Sequence, residues 1–344
     1  MESAPDASRL LEIVTGSWKT QAVYVAARLG VADLLAASPR SAGALAEASG
    51  AHPDALHRLL RALTTIELVR EREDGSFELT PTGELLREGT PDSLRSWVLH
   101  WGGTSWPVWG ELLHSVTTGE SARALVSATA GFDHLAADSE AAATFHRAMV
   151  ELTRLVVQDF VGAVDWSGTR KIVDVGGGYG ELLVAALTAS PGSIGILFDA
   201  AHAIEPARLH LRAAGFEHRC ELLAGDFFAW VPRGADTYLL KSVLHDWDDG
   251  RAADILASIR RAIPDDGRLL VVERIVPDRI GSSAEDQALA CMDLHMLVQL
   301  AARERTEAEL RELLSAAGFR TAWVEPLRGT LAVLEAVPEE PVNG

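Results

Sequence analysis

The chain has 344 residues, 48% of them hydrophobic, and carries 31 Lys and Arg against 49 Asp and Glu for a formal net charge of −18. This length allows one large or two ordinary domains with ample core, and the charge argues against nucleic acid or an anionic membrane surface as partner. No apolar stretch approaches the ~20 residues needed to span a bilayer, and residues 1–6 lack the basic and apolar regions of a signal peptide, so a cytoplasmic protein is expected.

In chain order, an apolar helix over 10–27 comes first, with Leu10, Leu11, Ile13, Val14, Val23 and Val25 on it, and a face of this kind on so acidic a chain suggests packing against a second subunit. Two amphipathic helices follow over 41–47 and 53–63, then a hairpin of 68–71 and 76–79 around Asp74-Gly75, which together make a winged-helix pattern. Arg58 and Arg61 lie on its second helix. Glu67, Glu71, Glu73 and Asp74 surround them, a poor surface for phosphate, so DNA reading is not expected. Trp97, Trp101, Trp106 and Trp109 read as core. The helix over 141–149 puts Phe145 and Met149 on one face at i, i+4, a suitable wall for an aromatic substrate.

The most informative segment is Val173-Asp174-Val175-Gly176-Gly177-Gly178-Tyr179-Gly180-Glu181, read as a buried strand, a glycine turn and a helix start. Glycines there allow positive φ and let a ligand approach the main chain at a helix N-terminus. The spacing is not that of a dinucleotide site, because the third glycine of G-x-G-x-x-G is replaced by Glu181. A nucleoside ligand without phosphates, such as S-adenosylmethionine (SAM), fits better than NAD. Asp174, Gly176 and Gly178 therefore read as cofactor residues.

Two further strands end in acids. The run 194–198 leads to Asp199, placed to accept from both ribose hydroxyls, and 221–224 leads to Asp226 and Phe227, an acceptor for an adenine amine and a cover for its ring. A fourth strand, 237–240, runs into Lys241 and then His245, a titratable group able to take a proton near neutral pH. Glu273 ends the strand 268–272, and Glu304 follows a helix through 292–297. One of these glutamates is expected to accept from the imidazole Nδ1–H and the other to position an acceptor hydroxyl; the sequence leaves open which does which. Asp246, Asp248 and Asp249 precede the helix 252–256, where Asp248 or Asp249 reads as an N-cap in preference to a metal ligand. Cys220 and Cys291 are too few for a zinc cluster or a disulfide framework and are expected as buried thiols.

These motifs, with Leu240-Lys241, His245-Asp246-Trp247, the run Glu273 to Asp278, Arg303-Glu304-Arg305-Thr306-Glu307 and Ala317-Gly318-Phe319, closely resemble the SAM-dependent O-methyltransferases of the plant caffeate and bacterial polyketide-tailoring type. The resemblance covers nearly the whole chain. It implies an α/β protein: a Rossmann-like SAM methyltransferase domain with a seven-stranded mixed sheet, at 106–344 with the linking helices, and an N-terminal helical winged-helix dimerisation domain at 1–105 that adds elements to the substrate pocket. It implies a homodimer, His245 as base flanked by Glu273 and Glu304, SAM contacts from Asp199, Asp226, Phe227 and Lys241, a small aromatic acceptor near Phe145, Met149 and Asp246, and no metal.

Three departures stand out: Ala200-Ala201 where the family has Leu-Pro after the strand-end acid, His146 in place of Asn, and Ala301-Ala302 in place of a glycine pair. The alternatives are N- or C-methylation on the same fold, a SAM-dependent hydroxylation, decarboxylation or pericyclic step, a noncatalytic SAM-binding dimer, and a DNA-binding regulator.

Overall fold

The computed structural model describes residues 7–127 and 131–339. Residues 1–6, read above as lacking a signal region, lie outside the described residues. The chain forms two compact units, 1–107 and 108–344.

In the first unit, the helix Pro53–Thr65 buries Leu56, Leu60 and Leu63 at helical spacing. The helix Ala42–Ser49 starts at Ser41, whose hydroxyl accepts from the Ala44 N–H, and ends on Gly50 at φ 71°. Strands β1 (Arg40–Ser41), β2 (Val69–Glu71) and β3 (Ser76–Leu79) form a small antiparallel sheet in the order β1-β3-β2. Phe77 of β3 packs with Leu45, Leu60 and Leu63 in a core that water does not reach. The wing is thus a hairpin with a third strand of two residues, too short to show as a period in the sequence. The helix Ala7–Arg28 leaves Leu10, Leu11, Ile13, Val14 and Trp18 exposed, Trp18 by 72%.

The second unit is built on β4 (Lys171–Val175), β5 (Ile194–Asp199), β6 (Cys220–Ala224), β7 (Thr237–Lys241), β8 (Arg268–Arg274), β9 (Phe319–Pro326) and β10 (Leu331–Pro338). Their order is β6-β5-β4-β7-β8-β10-β9. The first five are parallel, and β10 runs antiparallel to both β8 and β9. The apolar runs suit strands covered on both faces. Val173, Tyr238, Leu240, Leu269 and Val271 enter one core, and the alternate residues Ile172, Leu239, Leu270 and Val272 enter the other. After β4 the chain builds outward through β5 and β6, then returns to place β7 on β4's other side. This is a switch point, where the carboxyl ends of parallel strands part and leave a crevice.

One expectation holds in part and another fails. Trp109, half-buried, packs against the cluster of Val108, Ala122 and Val298 and its indole N–H donates to His295 Nδ1 at 2.9 Å, whereas Trp106 is 39% exposed and Trp97 and Trp101, both half-buried, meet edge to face. A large ring with a polar N–H is seldom wholly enclosed. Cys291 is exposed and Cys220 half-buried, because Cys291 falls on the outer side of the helix Ala284–Leu300, which buries Leu289, His295, Met296, Val298 and Gln299 instead. Among the described residues, no helix is long and apolar enough to cross a membrane.

Candidate active site

The crevice at the switch point is a cavity of about 480 Å³, in the range of small-molecule sites. The end of β4 supplies Asp174, Gly176 and Gly178 to its wall, β5 supplies Asp199, the turn after β6 supplies Asp226 and Phe227, and β7 supplies Lys241. Phe145 and Met149 line it from the helix Ser139–Ala163, and Asp246 lines it from the turn after β7. The ten residues expected at cofactor and acceptor thus face one space.

Backbone demands explain the glycines. Gly178 holds φ at 59° and donates its N–H to Asp199 Oδ2 at 2.7 Å, while a Cβ on Gly177 would lie 2.5 Å from the Asp174 carboxyl. Asp199 Oδ1 also accepts from the Ala200 N–H at 2.6 Å, so this acid is already oriented. Asp174 is buried with Oδ2 unpartnered; burial and the nearby Asp199 push its carboxyl up to about 7 against the pull of Lys241. Burial, aided by Arg274, brings the Lys241 ammonium down to about 8 against the opposing Glu273 and Asp174.

His245 sits on a tight turn, Leu244–Asp246, entered through Ser242 at φ 53°. Two charged side chains clip that turn. Glu273 Oε1 accepts from the N–H groups of Val243 and Leu244 at 3.0 and 2.8 Å. The buried Arg305 guanidinium donates to the carbonyls of Leu244 and Trp247 at 2.8 and 2.7 Å, and to Asp249 Oδ1 at 2.9 Å. The imidazole Nδ1 is 3.0 Å from Glu304 Oε1, against 3.8 Å from Glu273 Oε2. Glu304 is therefore the imidazole's partner, and Glu273 holds the turn. Its own N–H bonded by Asp293 Oδ1 at 2.8 Å, Glu304 is fixed in turn by the helix Ala284–Leu300.

None of His245, Glu273 and Glu304 lines the cavity, which departs from a glutamate positioning the acceptor. Asp246 connects the two regions: its Oδ1 is 3.4 Å from His245 Nε2, and its residue forms part of the cavity wall. Burial pulls the imidazole down, but Glu304, Glu273 and Asp246 outweigh it and raise His245 to about 9. Burial pushes the Asp246 carboxyl up to about 7. The resting imidazole thus holds its proton at neutral pH.

Ligand atoms of His245, Glu273 and Glu304 lie within 4.8 Å of one another, close enough for a metal ion. Glu273 Oε1 is occupied by two amide N–H groups, Glu304 Oε1 by the imidazole, and Arg274 Nη1 stands 3.5 Å from that same oxygen. Glu273 Oε2 and Glu304 Oε2 have no hydrogen-bond partner, but a cation taking His245 Nδ1 would break its bond to Glu304 beside the Arg274 guanidinium, so the donor set suits proton handling better. The neighbouring acids are engaged too: Asp248 caps the helix Asp249–Ala262 through the Arg251 N–H.

The sequence pattern of an O-methyltransferase domain matches residues 109–320, and that of the O-methyltransferase dimerisation domain matches residues 11–89. The chain belongs to this O-methyltransferase family. Its cofactor is S-adenosylmethionine, which suits a cavity offering buried acceptors such as Asp174 Oδ2 and an aromatic wall at Phe227. It is 42% identical to the phenazine O-methyltransferase PhzM of Lysobacter antibioticus, over 98% of this chain and 97% of that one. It is 36% identical to the 8-amino-8-demethylriboflavin N,N-dimethyltransferase of Streptomyces davaonensis, over 91% and 90%. An O-methyltransferase from neocarzinostatin biosynthesis, solved with S-adenosylmethionine and 2-hydroxy-5-methyl naphthoic acid, aligns at a TM-score of 0.79 and 34% identity, over 93% of this chain and 95% of that one.

Several residues of this methyltransferase escaped the sequence reading. Arg305 was visible only as part of a motif, and nothing local signals that it clamps a turn some sixty positions away. Trp247 and Arg251 line the cavity, with the Arg251 guanidinium 3.4 Å above the Phe228 ring. His146 was noted only as a departure and proves to be part of the wall.

At the alanine pair, Ala301 ends its helix at φ 55°, in the left-handed region. That conformation costs an L-residue about 1–2 kcal/mol, and glycine gives back about 0.5–1 kcal/mol in chain entropy. Ala301→Gly is therefore expected to stabilise the fold by roughly 0.5–1 kcal/mol. Denaturant unfolding checks this; a lower midpoint in the variant contradicts it.

Proposed function

We propose that this enzyme methylates a phenolic hydroxyl of a small aromatic metabolite, with His245 as general base. The observation that carries the reading is the buried His245–Glu304 pair, which reaches through Asp246 a cavity whose wall is partly aromatic. Phe132 lies 5.8 Å from Phe145 and 6.3 Å from Trp247, ring to ring, a surface suited to an aromatic acceptor.

When bound, the cofactor supplies a methyl group on a positively charged sulfur. The protein's part is to hold an acceptor oxygen in line and to receive its proton, and orientation alone is worth about 7–11 kcal/mol in well-aligned cases. Glu304 fixes the imidazole so that Nε2 is the proton-accepting nitrogen, and Glu273 with Arg305 keeps the turn from relaxing. At neutral pH most of the imidazole is protonated, and positive charge entering the neighbouring cavity favours loss of that proton to solvent, which leaves Nε2 free. The phenol proton then passes to the Asp246 carboxylate at the cavity wall and from it to Nε2 as the acceptor oxygen is methylated.

Incubating the enzyme with SAM and a panel of phenols, and reading products by mass spectrometry, tests the proposal. A gain of one methyl on a phenolic oxygen supports it, whereas methylation only at nitrogen or carbon overturns it. Turnover is expected to survive EDTA; loss on chelation and recovery with magnesium would make the His245, Glu273 and Glu304 cluster a metal site. The exposed apolar face of Ala7–Arg28 lies largely within the family's dimerisation segment, so we expect light scattering to report a homodimer, and an active monomer contradicts this.

A further inference from the structure

His146 is 7% exposed, lines the cavity, and has its Nε2 buried without a hydrogen-bond partner. Buried polar atoms are normally paired, so an unpaired one facing a ligand cavity implies a ligand group that pairs it. Its ring stacks on Tyr179, centroids 4.8 Å apart and planes 21° from parallel, and lies 5.7 Å from the His202 ring. The Nδ1 edge lies close over Gly178, where an added Cβ would be 3.5 Å away. Burial, with His202 adding to it, holds the imidazole down near 4, and burial pushes the Tyr179 phenol up, so both rings are neutral donors at physiological pH.

The chemistry of the wall indicates which cofactor group this is. Adenine amine, ribose hydroxyls and ammonium all donate, and Asp174, Asp199 and Asp226 are there to accept. The carboxylate of the methionine arm accepts only. Among the other side-chain donors of the wall, the Thr153 hydroxyl is bonded to the Met149 carbonyl, Arg251 is stacked over Phe228, the Lys241 ammonium at the end of β7 stands in the field of Glu273 and Asp174, and the Trp247 indole N–H, buried without a partner like His146 Nε2, belongs to a ring packed against Phe227 and Phe228. The rings of His146 and Tyr179 form a neutral donor pair beside the Gly178 to Asp199 bond, with the His202 ring next to them.

We propose that His146, as its Nε2–H tautomer and flanked by Tyr179 and His202, donates to the carboxylate of the cofactor's methionine arm. The assignment rests on this cavity being the SAM site. Two ligands separate the two claims: S-adenosylhomocysteine carries the amino-acid arm, and 5′-methylthioadenosine lacks it while keeping adenine and ribose. In calorimetric titrations of the full chain, His146→Phe is expected to weaken S-adenosylhomocysteine by roughly 10- to 100-fold, the worth of a hydrogen bond to a charged group. It should leave 5′-methylthioadenosine affinity unchanged, which also reports an intact site. His146→Asn, which keeps a donor, should recover most of the loss. Equal weakening of both ligands overturns the proposal in favour of a ribose or adenine contact. Unchanged affinity for both, with only the acceptor KM raised, overturns it in favour of an acceptor contact. A wild-type protein that binds neither ligand removes the cofactor site itself, and this proposal with it.

Discussion

His245→Gln is expected to lower the methyl-transfer rate by roughly 10²- to 10⁴-fold at neutral pH, the usual worth of a positioned base, with SAM affinity nearly intact. Affinity should survive because the expected cofactor contacts sit at the ends of β4 to β7, and the imidazole does not line that cavity. The pH dependence carries the sharper signature. With three carboxylates holding His245 up at about 9, the fraction present as free base rises with pH, so the wild-type rate should climb through neutrality and level off near pH 9. The variant lacks that group, and its residual rate should follow ionisation of the phenol itself, near pH ~10. Glu304→Gln removes one of the charges that hold the proton on the imidazole, so the plateau should move to lower pH, at a smaller cost in rate than loss of His245. A His245→Gln enzyme that works at the wild-type rate at neutral pH leaves proximity alone, or unaided ionisation of the acceptor, as the source of catalysis.

The second large effect is on cofactor binding. Asp199→Ala is expected to weaken SAM by roughly 10- to 100-fold, because a carboxylate at the end of β5 accepting from ribose hydroxyls makes charge-assisted bonds of about 1.5–3 kcal/mol. Part of the loss comes from the protein itself. Asp199 accepts the N–H groups of Gly178 and Ala200, and without it the glycine turn loses the contact that fixes its aim. Calorimetric titration decides the matter: unchanged affinity in the variant places the ribose elsewhere. NAD should not bind the wild-type chain, because Glu181 stands where a pyrophosphate would meet the helix N-terminus and is paired there with Arg154 and His210.

The sequence by itself determined the features encoded over short distances. The hydrophobic spacing of 53–63 defines the helix Pro53–Thr65, and the β-branched and apolar runs mark β4, β5, β7 and β8. Asp248 reads as a cap from its place before a helix and caps it, since a side-chain acceptor three residues from a free N–H needs no help from the rest of the fold. The acids at strand ends were legible for the same reason: in a parallel sheet every strand's carboxyl end comes to one edge, so a residue's place in its own strand fixes its place in the site.

Tertiary structure alone decided the pairings between segments. Strands β9 and β10 were implied only by resemblance, and the position of β10 between β8 and β9 follows from its antiparallel pairing with both rather than from local pattern. Glu273 and Glu304 look alike in sequence, yet Glu304 takes the imidazole and Glu273 the turn, a choice made by distances of 3.0 and 3.8 Å across segments far apart in the chain. The clamp by Arg305, the unpaired His146 nitrogen and the outward face of Cys291 are likewise products of packing. Local sequence sets backbone conformation and capping through contacts within a few residues, whereas the partner of a buried charge is whatever the fold brings within about 3 Å of it.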